Sequence, residues 1–251
     1  MTSDTVGMRP PAARVVVDLP SSTVAETDHR DLIRFVQSEL AALADPVKAA
    51  PMQAYMKTDM PFYGVPKPLR TPVARELKKR FPPSTASEYR RNVSDLWDLL
   101  HREEKYLAID YAESFRQFIT FGQIDLYQRL ITEGAWWDFV DEIASHLVGR
   151  VVLTDRERMR PVLEAWIDHP DLWIRRTAIL SQLGHKENTD WPILADFCLR
   201  RAHEKEFFIR KAIGWALREY ARVQPDLVRD FANEHREELS SLSYREATKH
   251  L

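Results

Sequence analysis

The sequence predicts an all-α fold built from tandem pairs of helices. Three observations support this prediction. Apolar residues recur with helical spacing through nearly all of the chain after residue 28, and no segment alternates as a strand does. Only 7 glycines occur among 251 residues, too few for a turn-rich all-β protein or for glycine loops that cradle phosphate groups. Similar helical segments also recur with a period of about 35 residues.

The first predicted helices carry clear local signals. Residues 31–44 place aliphatic side chains three and four positions apart, which gives one apolar stripe. In residues 45–57, Asp45 occupies the N-cap position and Pro46 lies in the first turn, where its missing N–H has no helical partner to lose. The remaining predicted helices cover residues 71–81, 87–100, 105–118, 123–131, 136–148, 155–167, 171–183, 191–202, 206–221, 225–239 and 244–251.

The helices repeat in a regular order. LWIRRTAI (172–179) and FFIRKAIG (207–214) superimpose at an offset of 35 residues. KYLAIDYA (105–112) has the same succession of aromatic, aliphatic and polar residues, and WWDFVDEIA (136–144) lies between them. A period of this length made of helix pairs is typical of HEAT-like repeats. We therefore predict a right-handed α-solenoid, a superhelix of tandem HEAT-like helical repeats whose second helices line a concave groove.

The two ends of the chain differ in composition. Residues 1–27 contain scattered prolines and acidic residues and lack the apolar core of a signal peptide, so we expect a flexible N-terminal extension followed by a single domain over residues 28–251. No apolar run is long enough to span a membrane. The single cysteine, Cys198, lies in an apolar stretch, which indicates a buried structural thiol and a reducing, cytoplasmic environment.

Charge and metal-ligand patterns exclude several classes of site. The net charge of −2 is not that of a strongly basic nucleic-acid binder, so any anion site must arise from the local arrangement of charges. The 8 histidines show no metal-ligand spacing. We predict neither a metal nor an organic cofactor.

One segment, EGAWWDFVDEIA (133–144), sets a carboxylate beside an indole. Trp137 and Asp141 lie four residues apart and so share one face of a helix. The repeat also predicts that this face and Arg176 look into the same groove. By residue type alone, a tryptophan in a helical repeat is more often core and a lone aspartate more often solvated, and Asp138 is assigned to solvent on this basis. The tryptophans assigned to the core are Trp97, Trp136, Trp166 and Trp191.

Several segments together closely resemble the DNA alkylation repair family of the AlkD type. These HEAT-like repeat DNA glycosylases excise N3- and N7-alkylated purines. The resemblance begins near residue 31 and continues to the C-terminus. The segments that carry it are PMQAYMKTDMPFYGVPKPLR (51–70), EGAWWDFVDEIA (133–144), DLWIRRTAILSQL (171–183), EFFIRKAIGWALREYA (206–221) and YREATKHL (244–251).

The resemblance implies roles for individual residues. The family's catalytic tryptophan, aspartate and arginine fall on Trp137, Asp141 and Arg176, and further groove aromatics fall on Tyr55 and Trp215. This sequence departs from the family pattern in the loop after Gly64, where it has lysine at position 67 and threonine at position 71. The resemblance therefore does not decide which DNA-backbone contacts Lys67, Arg70 and Thr71 make. Further predicted contacts to the DNA backbone are Lys211, Arg218, Arg245, Lys249 and His250.

The chemistry expected of these residues follows from the charge of the substrate. An alkylated purine is cationic and leaves as a neutral base, so the enzyme needs negative charge near the sugar rather than a strong acid on the base. Asp141 would stabilise the oxocarbenium-like sugar and orient water, and Arg176 would hold the adjacent phosphate. Because no lysine is evident beside Asp141, we expect hydrolysis without strand cleavage. The predicted partner is double-stranded DNA carrying alkylated bases, bound by a monomer that is nucleoid-associated when on DNA.

Two other functions remain open at this stage. A non-catalytic helical-repeat scaffold could bind a protein or peptide in its groove, which the near-neutral charge favours slightly. A relative that binds DNA structures without excision is the second alternative. The presence of Trp137, Asp141 and Arg176 argues against that second alternative.

Overall fold

The computed structural model describes Met1 and residues 22–251, with side chains from residue 30 onward. All regular structure in this described part is helical. The α-helices are α1 (Ser22–Ala42), α2 (Pro46–Met56), α3 (Lys67–Arg80), α4 (Ala86–Trp97), α5 (Arg102–Ser114), α6 (Ile124–Gly134), α7 (Trp137–Glu142), α8 (Gly149–Thr154), α9 (Arg156–Ile167), α10 (Leu172–Leu180), α11 (Trp191–Arg200), α12 (Phe207–Ala221), α13 (Pro225–Glu234) and α14 (Ser241–Ala247). Helices α7 and α8 are joined by a π-helical turn over Ile143–Val148, and short 3₁₀ turns cover Arg116–Phe118, Phe121–Gln123 and Lys186–Asn188.

The helices stack as the repeat predicts. Helices α3, α5, α7–α8, α10, α12 and α14 pack successively on one another and form one continuous row. Helices α4, α9, α11 and α13 pack against that row as the other members of the pairs. The predicted all-α solenoid of helical repeats is confirmed. The row places side chains from distant parts of the sequence side by side, which is how the site below is assembled.

Ion pairs between neighbouring repeats show the same period. They join residues 35 or 36 positions apart, because equivalent positions in consecutive repeats lie next to each other. The pairs are Arg90–Asp125, Arg102–Asp138, Asp141–Arg176, Glu164–Arg200 and Lys211–Glu246. Tyr106, Asp141, Arg176, Lys211 and Glu246 lie at successive intervals of 35 residues along the same row of helices.

Local signals set the starts of several helices. The Asp45 carboxylate accepts hydrogen bonds from the backbone amides of Val47 and Lys48, and Pro46 follows it, as predicted. Helix α3 begins at Lys67, four residues earlier than predicted. The chain can enter the helix there because Pro66 precedes it and Pro68 lies in the first turn, where a proline is tolerated.

Several helices differ from the prediction at their ends, three of them by a structural feature that can be named. Helix α5 begins and ends earlier than expected, and the residues after Ser114 form a 3₁₀ turn instead. Helix α14 covers Ser241–Ala247 rather than 244–251, because the Ser240 hydroxyl caps its first turn. The helix that starts at Trp137 continues through the π turn to Thr154, six residues beyond the predicted end.

The N-terminal boundary also differs. Helix α1 begins at Ser22, six residues before the predicted domain start, so the helical part extends into the predicted extension. Residues 2–21 of that extension lie outside the described residues. Within the part of the chain that is described, no helix combines the length and apolarity needed to cross a membrane.

The core contains most of the predicted apolar residues. Trp97 and Trp166 are buried as predicted, and so is Cys198, the pKa of whose thiol is raised by burial. Trp136 and Trp191 are only half-buried, although both pack against the core. At the edge of the core each packs against other aromatic rings. Trp136 contacts Trp173 and Phe208, and Trp191 stacks on Tyr220.

Candidate functional site

A cavity of about 390 Å³ opens between α2, α3, α5 and α7. Its wall combines an indole, a phenol and two methionines with four carboxylates and two basic side chains. The lining residues are Met52, Met56, Pro66, Lys67, Arg70, Tyr106, Ile109, Asp110, Trp137, Asp138, Asp141 and Glu142. An acidic cavity with apolar walls is suited to a cationic group that has an aromatic face.

Asp141 forms the best-defined polar contact of this cavity. Its two oxygens accept hydrogen bonds from Nε and Nη2 of Arg176, at 2.7 and 2.8 Å, in a bidentate pair. Arg176 is 1% exposed and also donates to the carbonyl of Phe208, whereas the Asp141 side chain keeps 20% exposure. Burial raises the pKa of the Asp141 carboxyl and the Arg176 guanidinium opposes that rise. The carboxylate is thus backed by a fixed cation and open on the other side.

Backbone features aim these two side chains. Ala135 adopts a left-handed conformation, with φ +30°, and ends α6, so that α7 starts at once with Trp137. The π turn follows Glu142, and the Ser145 hydroxyl donates to the carbonyl of Asp141 at 2.6 Å. On the other side of the pair, the Asp171 carboxylate caps α10 through the amides of residues 173 and 174 and fixes the turn that presents Arg176.

Trp137 and Trp215 occupy different places. Trp137 lies half-exposed in the wall of the cavity, with Asp141 one turn along the same helix. Trp215 does not line this cavity. It lies next to the arginine of the Asp141–Arg176 pair. The centre of its ring is 5.4 Å from the Arg176 guanidinium and 5.1 Å from the Lys211 ammonium. The carboxylate therefore has one indole beside it in the cavity and a second indole beside its arginine partner.

The prediction for Asp138 was wrong. It was assigned to solvent, but its side chain is only 8% exposed and faces the preceding repeat. It pairs with the buried Arg102 at 2.6 Å and accepts a hydrogen bond from the Tyr106 hydroxyl. The physical reason is the repeat stacking, which brings α5 against the first turn of α7 and gives the carboxylate a buried cation.

Arg175, like Asp138, is held by an ion pair with a neighbouring side chain. It forms a bidentate pair with Glu204, at 2.9 Å from both Nε and Nη2, and donates to the carbonyls of His169 and Pro170. Both arginines of the WIRRTA motif are therefore held by carboxylates, and only Arg176 reaches the carboxylate that opens into the cavity.

Tyr55 lies on α2 and is 71% exposed, but it is not in the wall of the cavity. The same helix instead contributes Met52 and Met56 to the wall. The family resemblance implied a groove aromatic on this helix, and the helix does face the site, where Met52 and Met56 line the wall. Methionine side chains adapt their shape readily to a flat ligand.

The predicted backbone-contacting cations fall into two groups. Lys211 and Arg218 both contact Glu246 on α14. These two cations, Lys211 more than Arg218, hold the pKa of the Glu246 carboxyl below its ordinary range. Arg245, Lys249 and His250 are exposed near the C-terminus. The first two cations are thus partly neutralised by a carboxylate that the sequence reading did not consider.

The loop and helix after Gly64 supply cations of different kinds. Arg70 is only 6% exposed, and its guanidinium lies 4.3 Å from the centre of the Tyr106 ring, so it is a wall residue of the cavity. Lys67 is exposed, lines the cavity and lies 4.0 Å from Glu142. No lysine was expected beside Asp141, and Lys67 shares the cavity with Asp141 while its ammonium lies near Glu142. Thr71 donates to the Lys67 carbonyl at 2.8 Å.

A second hollow adjoins the first. It encloses about 520 Å³ and shares Lys67 and Asp110 with the cavity. Its other charged residues are mostly basic and belong to α3 and to the turn after α5: Arg75, Lys78, Glu113 and Arg116. An acidic cavity therefore continues into a groove with local basic charge, although the net charge of the chain is slightly negative.

Tyr106 and Asp110 are among the cavity residues that sequence reasoning missed. They lie four residues apart on α5, the same spacing as Trp137 and Asp141 on α7. That parallel spacing was the available signal, since KYLAIDYA had already been aligned with the later repeats. In the described residues, no three or more His, Cys, Asp or Glu side chains are arranged so that they could hold a metal ion.

Comparison with known proteins agrees with the geometry. The family model for DNA alkylation repair enzymes matches residues 36–251. A solved structure described as a predicted DNA alkylation repair enzyme from Enterococcus faecalis is 30% identical, with a TM-score of 0.75 over 83% of this chain and 96% of that one. Curated proteins give no match. The chain therefore belongs to the DNA alkylation repair enzyme family, which assigns it to DNA alkylation repair with DNA as its partner.

Proposed function

We propose that the protein is a DNA glycosylase that hydrolyses the N-glycosidic bond of N3- and N7-alkylated purines, such as 7-methylguanine, in duplex DNA. It would act as a monofunctional hydrolase at the first step of base excision repair, using neither a metal nor an organic cofactor. The observation that carries the proposal is the Asp141 carboxylate, held by Arg176 on one side and open to a cavity walled by Trp137 on the other.

The energetics of that arrangement favour a positive transition state. A carboxylate about 4 Å from a unit positive charge contributes about 4 kcal/mol at an effective dielectric constant of 20. If the interaction exists only in the transition state, it corresponds to about a thousandfold in rate. An indole face adds about 0.5–2 kcal/mol for a cationic base or an oxocarbenium sugar. The cavity supplies both groups, through Asp141 and Trp137.

The role of Arg176 in this proposal differs from phosphate binding. Its guanidinium is buried and already donates to Asp141 and to the carbonyl of Phe208. We infer that Arg176 is a positioning residue that keeps Asp141 ionised and oriented. The exposed cations of the adjoining groove, Lys67 and Arg116 among them, are better placed to meet the phosphates.

Lys67 bears on whether the strand is cleaved after excision. A lysine nucleophile is activated by desolvation or by a neighbouring cation. Lys67 has a 73% exposed side chain and lies near a carboxylate, Glu142. This exposure argues against activation by desolvation, and the proposed product is an intact strand with an abasic site.

The test is release of 7-methylguanine from methylated duplex DNA, measured by chromatography of the freed base under single-turnover conditions. We expect Asp141→Asn to slow release by about a thousandfold while its affinity for DNA containing an abasic analogue stays within a few-fold. Asp125→Asn is the matched control, since it removes an exposed aspartate that pairs with Arg90 one repeat earlier. Full activity of Asp141→Asn would remove this mechanism.

The same assay separates the alternatives. A protein-binding scaffold would release no base and would show no salt-dependent affinity for DNA. A relative that only recognises DNA structure would bind the abasic analogue, with a salt-dependent affinity, and still release no base. Strand breaks that appear without heat or alkali would contradict the monofunctional assignment.

A further inference from the structure

Asp110 is a second carboxylate at the cavity, and nothing in the proposed mechanism so far uses it. It lies on α5, one helical turn after Tyr106, and it lines both the cavity that holds Asp141 and the adjoining basic groove. Its position at the junction of the two hollows places it where a nucleotide bound through its phosphates would enter the acidic cavity.

The other carboxylates of the cavity are already engaged. Asp138 is held by Arg102, Asp141 by Arg176, and Glu142 lies near Lys67 and His146. The Asp110 carboxylate, in contrast, accepts no hydrogen bond and forms no ion pair within the described residues. Its lone pairs are therefore available to a bound water or ligand, whereas those of Asp138 and Asp141 are directed at guanidinium groups.

An opposite, buried group in the same wall is also incompletely satisfied. Arg70 is nine-tenths buried, and its Nε has no hydrogen-bond partner in the part of the chain that the structure describes. Arg70 is the leading opposite charge acting on Asp110, yet no contact within 4 Å joins them. A buried donor and a half-buried acceptor that do not meet are typical of a site that positions a polar molecule.

The surroundings of Asp110 favour a basic carboxylate. Burial raises its pKa, and neighbouring charges act in both directions. The cations that face Asp110 are Arg70 and Lys67 on α3. The carboxylates that face it are Glu113 on α5 and Asp141 and Glu142 on α7, and the Tyr106 hydroxyl lies on its own helix, α5. A carboxylate with a raised pKa is a better proton acceptor near neutral pH than an ordinary aspartate.

We propose that Asp110 is the general base that takes the proton from the attacking water, while Asp141 stabilises the sugar cation. This inference rests on the proposed glycosylase function and divides its two tasks between two carboxylates. Hydrolysis of glycosides commonly uses such a pair, one carboxylate for charge and one for water.

The step balances as a hydrolysis. The bond between C1′ and the purine nitrogen breaks, and its electron pair neutralises the cationic ring, which leaves as a neutral base. The water oxygen bonds to C1′, and one of its protons passes to a carboxylate oxygen of Asp110, which later loses it to solvent. Asp141 forms no covalent bond, and the product is a hydroxylated abasic sugar in an uncut strand.

The test compares Asp110→Asn with Asp125→Asn under single-turnover conditions on 7-methylguanine duplex DNA. The control makes the same substitution at an exposed aspartate that pairs with Arg90 and lines neither hollow. We expect Asp110→Asn to lose about a hundredfold or more in rate at pH 7, the range typical of a general base, and Asp125→Asn to stay within about threefold. Affinity for abasic-analogue DNA should be unchanged in both variants.

Two further readouts distinguish a base from a structural residue. In the wild type two carboxylates must be ionised, so the acid limb of the rate should approach a slope of two, and Asp110→Asn should reduce it to one. Added formate should raise the rate of Asp110→Ala and not that of Asp141→Ala. A rate for Asp110→Asn within threefold of the wild type, or a loss matched by weaker DNA binding with the slope unchanged, would overturn the inference. An inactive wild type would instead refute the proposed function.

Discussion

The Asp141–Arg176 pair offers the sharpest test of the site's construction, through substitution of Arg176 by methionine. Methionine keeps most of the side-chain stem and removes the guanidinium. Arg176 is 1% exposed, so the change leaves a carboxylate with 20% exposure and no cation beside it. It also leaves the Phe208 carbonyl without its donor. The site should lose stability and activity together.

The magnitude follows from burial. Removing one partner of a buried pair costs about 3–5 kcal/mol, because the remaining charge is uncompensated. For a domain of this size each kcal/mol lowers the melting temperature by about 2–4 °C. The expected loss for Arg176→Met is therefore roughly 6–20 °C. Adding Asp141→Asn removes the stranded charge, so the double variant should recover part of this loss.

The assay is thermal or urea unfolding of the wild type, the two single variants and the double variant, arranged as a double-mutant cycle. Asp125→Asn provides the control. It breaks a pair with the same 35-residue spacing whose side chains are 37% and 74% exposed, and such exposed pairs contribute about 0–1 kcal/mol. A cost below about 1 kcal/mol for Arg176→Met, or a double variant no more stable than Arg176→Met alone, would refute the reasoning.

Two further predictions concern the frame of the site. Gly64→Ala should lower the free energy of unfolding by more than about 2 kcal/mol, measured in urea, because residue 64 has φ +85° and an added Cβ would overlap the carbonyl of Asp45. Glu246→Gln should cost about 1.5 kcal/mol at pH 7, since it removes the partner of Lys211 and Arg218. Those cations lower the pKa of Glu246, so its contribution is present above the ordinary glutamate range of about 4.3 and is lost as the pH falls through the folded value. Melting temperatures of wild type and Glu246→Gln should therefore converge as the pH falls below the folded pKa of Glu246, and a constant difference would contradict this assignment.

The repeat period could be predicted from the sequence because it is a local pattern written several times. Matching 172–179 with 207–214 gave both the helical class and the offset of 35 residues. The same spacing of four placed Trp137 and Asp141 on one helical face, and the repeat placed Arg176 in the same groove. These predictions needed only helix geometry and a regular stack.

The sequence by itself therefore determined the helices, their period and the placing of Trp137, Asp141 and Arg176 along one groove. Tertiary structure alone decided which charges are buried and what each one meets. Asp138 and Asp141 are both aspartates on α7, yet the packing of α5 gives one to Arg102 and that of α10 gives the other to Arg176. Among the described residues, the same packing leaves the Asp110 carboxylate in the wall of the cavity without a hydrogen-bond or ion-pair partner. Burial and pairing depend on the approach of helices distant in the chain, and helical periodicity reports only which way a side chain leaves its own helix.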